Sequence, residues 1–148
     1  MMGSLCRSGQ RLPHPSGSIP GLGLRLIEKE PDPAHPVWNR LIVREPPLGR
    51  RPLVGAQLPY LVEWDLGLLG AFGFGPPAFH LECRDPWIGW SSQAREQNRP
   101  KVIGLSRFLI RSGRRVPHLA SRCYGLVRRP VAPDWEARYG ITPVLVET

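Results

Sequence analysis

An α/β fold, with a mixed, largely antiparallel sheet and flanking helices, is the class this sequence predicts. Three observations predict it. Residues 56–64 and 68–75 are apolar runs on either side of a turn at Asp65–Gly67, which reads as a hairpin. Residues 102–110 form an apolar run of strand length, and a stripe of helical period follows. The last residues, T-P-V-L-V-E-T, read as one further strand. Antiparallel strands followed by a strand–helix–strand unit make a mixed sheet.

Taken in order, residues 1–20 are rich in Pro, Gly, Ser and Arg without periodicity, and are expected to be disordered. One α/β domain is expected over residues 21–148. G-L-G-L-R-L-I-E (21–28) alternates and suits a short strand. P-D-P (31–33) then supplies Asp32 as an N-cap and Pro33 as a first helical residue. The helix that follows, 34–44, places Val37, Trp38, Leu41 and Ile42 on one face, and P-P-L-G-R-R-P (46–52) ends it. In the second hairpin strand, Gly70, Gly73 and Gly75 mark a bulge or a close backbone approach.

A-F-H-L-E-C (78–83) reads as a further strand or as the continuation of that one. Ser91 or Ser92 caps a polar helix, S-Q-A-R-E-Q-N. After the strand 102–110 and the loop 111–116, a helix over 117–129 aligns Leu119, Ala120, Cys123, Leu126 and Val127, with Pro117 at its start. A short helix, 133–139, stops at Gly140.

Composition narrows the function classes. The chain has 148 residues, of which 41% are hydrophobic, so one domain with a core is expected. No run approaches the roughly 18 apolar residues of a membrane span. The first residues lack the apolar stretch of a secretory signal, so the cytoplasm is the expected location. Cys6, Cys83 and Cys123 are too few and too scattered for a disulfide framework, and no C-x-x-C or H-x-x-x-H spacing offers a metal site. Cys123 is expected to be a small buried hydrophobe.

The net charge of +8 is unevenly placed. From Gln97 to Pro133 there is no acid, while the same stretch carries nine basic residues. Such a stretch can hold the phosphates of nucleic acid or of a cofactor. Arg111, Arg114, Arg115, Arg128 and Arg129 are the candidates. The plain alternative is a set of solvated surface arginines.

Three further features bear on chemistry. In C-R-D-P-W-I-G-W-S (83–91), Trp87 and Trp90 bracket Ile88 and Gly89. Two indoles there could stack on bases, but burial is the commoner fate of indoles beside a hairpin. The segment is read mainly as a corner that seats the following helix, with Arg84 and Asp85 paired to each other or to Arg107. His118 is a candidate general base or an ordinary surface histidine. Glu147 is a candidate base in a cleft or an edge carboxylate, and the second reading is preferred.

Several stretches carry a resemblance: W-N-R-L-I-V-R-E, P-L-V-G-A-Q-L-P-Y-L-V, L-L-G-A-F-G-F, C-R-D-P-W-I-G-W-S, I-G-L-S-R-F-L-I, P-H-L-A-S and D-W-E-A-R-Y-G-I-T-P-V-L-V-E-T. From about Gly21 to the end, the chain resembles the DruA family of the Druantia anti-phage defence system. Relatives of that family also occur beside, or fused to, transposases of insertion sequences. Two departures stand out. Pro47 takes the place of a family histidine before the hairpin, and family members continue past the final Glu-Thr, which implies a truncated member.

The resemblance implies an acetyltransferase-like (GNAT-like) arrangement, incomplete at its C-terminus. In such folds a loop of pattern Q/R-x-x-G-x-G/A holds a pyrophosphate. Here Arg115 and Ala120 fit, but His118 replaces a glycine and Pro117 removes a donor. The function implied first is a defence or mobile-element accessory protein acting near nucleic acid, with DNA and other defence or transposase proteins as partners and no cofactor. The alternatives are an acyltransferase-like enzyme using acetyl-coenzyme A, and a non-functional gene remnant.

Overall fold

A computed structural model describes residues 19–29, 31–44, 55–79, 81–111 and 116–148. Arg114 and Arg115, Pro47, and most of the N-terminal segment expected to be disordered lie outside the described residues. Five strands form one sheet in the order of the sequence: β1 (Gly23–Leu26), β2 (Leu58–Trp64), β3 (Gly67–Gly75), β4 (Val102–Ile110) and β5 (Leu145–Glu147). The pairings β1–β2, β2–β3 and β3–β4 are antiparallel, and β4–β5 is parallel. The expected mixed, largely antiparallel sheet is therefore present. The helices are α1 (His35–Arg44), α2 (Arg84–Ile88), α3 (Ser92–Asn98), α4 (Leu119–Val127) and α5 (Val131–Tyr139), with a 3-10 turn at Arg99–Lys101.

Alternation along β2 sets the layers, because successive side chains point to opposite faces. Leu58, Tyr60, Val62 and Trp64 join Leu119, Cys123, Val127, Val131 and Trp135 in the main core, under α4 and α5. Leu61, one step out of that phase, joins Ile27, Ala34, Trp38 and Ala71 in a smaller core under α1. The sheet thus lies between α1 on one face and the α4–α5 pair on the other. Ile19 is buried in the main core, and the Pro20 carbonyl accepts the Asp65 N–H at 3.2 Å.

The local signals act as expected in several places. One oxygen of Asp32 accepts the Ala34 N–H at 2.8 Å and the other the Glu28 N–H at 2.9 Å. Helix α1 starts at His35, one residue after 34, and Pro33, expected as a first helical residue, lies in the turn before it. Ser91 caps α3 by accepting the Ala94 N–H at 3.2 Å. Gly140 ends α5 at φ 69°, and α5 begins at Val131, two residues ahead of its expected start. Polar side chains add to the apolar docking of helix α5 through Val131 and Trp135. The Tyr60 hydroxyl donates to Asp134 at 2.7 Å, and the Tyr139 hydroxyl both accepts from Gln57 N and donates to Gln57 O. Burial, and then the Asp134 carboxylate, push the Tyr60 phenol far above its ordinary range, so it stays a donor.

Two differences from expectation concern residues 78–91. Among the described residues of 78–83 no strand forms, and a turn at 82–83 leads into α2. The Arg-Asp-Pro-Trp-Ile run, expected to be a corner, is a single helical turn that stops where Gly89 adopts φ 77°. Five residues are too few to show a helical period.

Bulges and a close approach both occur along β3, but the extra residue of each bulge is not itself a glycine. The strand pairs irregularly at both ends, leaving Leu69 of β3 and Ser106 of β4 as the extra residues of two bulges. Gly70 marks a close approach: a Cβ there would lie 2.4 Å from the Leu109 carbonyl oxygen. Since that neighbour is backbone, it cannot swing away. Gly70→Ala is expected to cost about 2 kcal/mol of stability through overpacking, read as a lowered denaturation midpoint. An unchanged midpoint would refute the close packing of β3 on β4.

Candidate functional site

The most constrained polar cluster lies where α2 meets the end of the sheet. Arg84 is the first residue of α2, and its side chain is 5% exposed. Its Nε donates to Asp85 Oδ1 at 2.8 Å. Its Nη1 donates to Glu147 Oε2 at 2.8 Å and to the Ala78 carbonyl at 3.1 Å. Nη2 is buried with no partner among the described residues. Asp85, 6% exposed, also accepts from Arg95 of α3 at 3.3 Å. One arginine therefore joins Ala78, α2 and β5, and one aspartate joins α2 to α3.

The charge states follow from these contacts. Burial raises the Asp85 carboxyl, but the hydrogen bond and charge of Arg84, with help from Arg95, outweigh it and hold the group below its ordinary value. Asp85 is thus an ionised anchor. Glu147 accepts a hydrogen bond on each oxygen, from Arg84 on one and from the Ala78 N–H at 3.0 Å on the other. The sequence reading preferred an edge carboxylate. Glu147 does lie on the outermost strand, yet its carboxylate turns inward as the far partner of Arg84.

Beside this cluster a cleft of about 270 Å³ opens, lined by Pro76, Ala78, Leu81, Gly104, Leu105, Ser106, Glu147 and Thr148. Strands β4 and β5 pair only from Val102–Leu145 to Gly104–Glu147. The cleft lies where that pairing stops, next to the bulge residue Ser106. Its walls mix polar and apolar surface in nearly equal parts.

The remaining candidates fall in several places. Trp87 is 81% exposed, on the outer side of α2, where burial had been expected. Trp90 is half-buried, with the Arg84 guanidinium 5.9 Å from its ring centre. Arg107, in the middle of β4, donates to the Ser106 carbonyl at 2.8 Å. The sequence reading placed His118 in the first turn of its helix; it sits one residue earlier. It is exposed, at φ 55°, and caps α4 with no side-chain bond. Among the described residues it is the one non-glycine residue with a positive φ, a conformation that costs a branched-free side chain about 1 kcal/mol. Cys123 is fully buried, and burial pushes its thiol up to about 11, which removes it as a nucleophile near neutral pH.

Of the five candidate arginines in the acid-free stretch, three can be placed. Arg111 follows β4, is exposed, and donates to the Leu68 carbonyl at 3.4 Å. Arg128 and Arg129 are exposed at the C-terminal end of α4, where the helix dipole favours cations. The nine residues of α4, about 13 Å of helix, lie in the chain between the 112–118 segment and this pair. No ion pair among the described residues engages Arg111, Arg128 or Arg129. Sequence reasoning missed two further residues: Arg95, which braces Asp85, and Phe79, which is 61% exposed with Arg95 and Arg99 guanidiniums 5.8 and 4.7 Å from its ring centre. The interval from Arg95 to Arg99 is one helical turn, which was readable; that both would meet Phe79 was not.

No group of three or more His, Cys, Asp or Glu side chains among the described residues is placed to hold a metal ion. No helix among them is long and apolar enough to cross a membrane. No curated protein and no solved structure matches the chain. A family model described as Druantia protein DruA matches residues 20–148, which takes in the whole sheet, the Arg84–Glu147 pair and the arginine-rich stretch. The chain belongs to the DruA family.

Proposed function

We propose that this chain serves Druantia-type anti-phage defence as a nucleic-acid-contacting component, gripping the phosphate backbone without reading sequence. The observation that carries this reading is the run from Gln97 to Pro133, where basic residues stand without a single acid. Exposed guanidiniums free of carboxylate partners are the groups that displace counterions from a phosphate chain. Among the described residues Arg128 and Arg129 have that state, and Arg111, Arg114 and Arg115 complete the proposed set of contacts. The same contacts would serve a protein that accompanies a transposase, since that substrate is also DNA.

The test is the salt dependence of DNA affinity for the full chain and for Arg128→Ala/Arg129→Ala. The double variant is expected to bind about tenfold more weakly, and the slope of log affinity against log salt is expected to fall by about 2, one for each lost phosphate contact. An unchanged slope overturns the assignment of these two residues. Binding that does not weaken with salt overturns the reading as a whole.

A second reading is an acetyltransferase-like domain that takes acetyl-coenzyme A. One observation favours it: the cleft opens where the parallel strands β4 and β5 stop pairing. Against it stand Pro117, which withholds a donor N–H at the helix entry, and the His118 side chain, where the cofactor-binding turn has a glycine. Heat on titration with millimolar acetyl-coenzyme A supports this reading, and its absence removes it.

A further inference from the structure

Helix α4 carries a glycine that the described part of the fold does not use. Gly125 sits inside the helix, where alanine would be the more stable choice. A Cβ built there meets no neighbouring group within 4 Å among the described residues, so no close approach inside the chain excludes a side chain. Its φ is not among the positive values that favour glycine. The position also faces outward: the buried residues of α4 are Leu119, Cys123 and Val127, and Gly125 falls on the opposite side of the helix. Arg122 stands one turn before it. Arg128 stands one turn after it, and its N–H still bonds the Tyr124 carbonyl in helical geometry. Arg128 and Arg129 are exposed and, among the described residues, free of ion pairs. The helix itself holds no acid. The next acids in the chain are Asp134, which holds Tyr60, and Glu136.

We propose that the outward face of α4 seats a DNA phosphate backbone, with Gly125 as the point where the strand comes closest to the helix. This inference rests on the nucleic-acid reading above and names the element that makes the contact. A missing side chain lets a partner reach the helix backbone itself. Charge selects which partner. Guanidiniums on both sides of the gap attract a polyanion, and a helix without acids does nothing to repel one. The spacing agrees. Arg122 and Arg128 lie about 9 Å apart along the axis, which covers roughly two or three nucleotides of one strand at about 3.4 Å each. A partner protein's helix pressed into the same gap is the competing occupant, and it predicts duplex binding that is indifferent to Gly125.

Stability and binding should move in opposite directions at this position. A labelled mixed-sequence duplex is titrated with the full chain by fluorescence anisotropy, and thermal melts are recorded beside it. Gly125→Ala is expected to raise the melting midpoint by about 3 °C, since alanine favours the helix and its methyl meets nothing among the described residues. The same variant is expected to bind the duplex about fivefold more weakly, because the methyl holds the strand off. Gly125→Gln, longer and still helix-favouring, is expected to weaken binding further. A gain in stability coupled to a loss in binding is an outcome that a purely structural glycine cannot give. Parent-like affinity in both variants overturns the seat at Gly125 and leaves the arginine contacts standing. A lowered midpoint in Gly125→Ala overturns it too, because the fold would then need the glycine. A parent chain that binds no duplex overturns both readings.

Discussion

Arg84→Met is expected to lower the free energy of unfolding by about 3–5 kcal/mol, because removing one partner of a buried ion pair leaves charge without compensation. Methionine keeps much of the apolar stem but supplies no donor. Among the described residues Glu147 would retain the Ala78 N–H, while Asp85 would lose its largest stabilising partner and keep Arg95 and a backbone bond at Leu81. Urea unfolding followed by circular dichroism measures the loss. The double variant Arg84→Met/Glu147→Met is expected to recover part of it, because the stranded carboxylate goes too. A single variant as stable as the parent would show that the pair is not closed in solution.

The same cluster fixes an acid limb. Asp85 has a folded pKa below its ordinary value of 3.8. Its contribution is therefore present above that value and is lost as pH falls below it, through the folded pKa, where the unfolded chain binds the proton more readily. Without Arg84 the hydrogen bond and charge that lower Asp85 disappear, so the stability of the variant is expected to fall less steeply at acid pH.

Trp38→Ala is expected to cost about 3–5 kcal/mol, the loss typical of emptying a buried aromatic site. Trp38 is the largest side chain of the small core beneath α1, and its Nε1 donates to the Phe72 carbonyl at 3.0 Å across the sheet face. The remaining buried members, Ile27, Ala34, Leu61 and Ala71, include two alanines and cannot close over the space. Trp38→Phe keeps most of the apolar volume and loses the bond, so about 1 kcal/mol is expected. Thermal melts of the two variants separate packing from hydrogen bonding. Equal losses would mean that the indole N–H, and not the ring, docks α1.

How much of this was legible depended on the range over which each signal acts. The β2–β3 hairpin, the Asp32 cap, the Gly140 stop and the stripe of α4 are set by neighbours within a few residues, and the sequence displays them. Helix α2 escaped because one turn has no period. Trp87 was expected to be buried because indoles beside a hairpin usually are; here Arg84 and Asp85 take the inward positions of the turn and leave the indole outside. Asp85 was expected to pair with Arg84 or Arg107, and the local pairing is present. The Arg84–Glu147 contact joins residues 63 apart in the chain. No local pattern encodes it, and Glu147 looked like an edge residue for that reason. The arginines of the acid-free stretch were visible as composition, while their positions along β4 and α4 depended on the fold.

The two-residue connection between Trp64 and Gly67 has a consequence for how the sheet assembles. Loop closure costs more entropy as the loop lengthens, and β2–β3 is the one pairing that closes without an intervening helix. Pairing of β1 must bridge α1, pairing of β4 must bridge α2 and α3, and pairing of β5 must bridge α4 and α5. By this argument the central ribbon is expected to pair first and the sheet to grow outward from it on both sides. The guanidinium lock on Glu147 is fastened only when the outermost strand arrives.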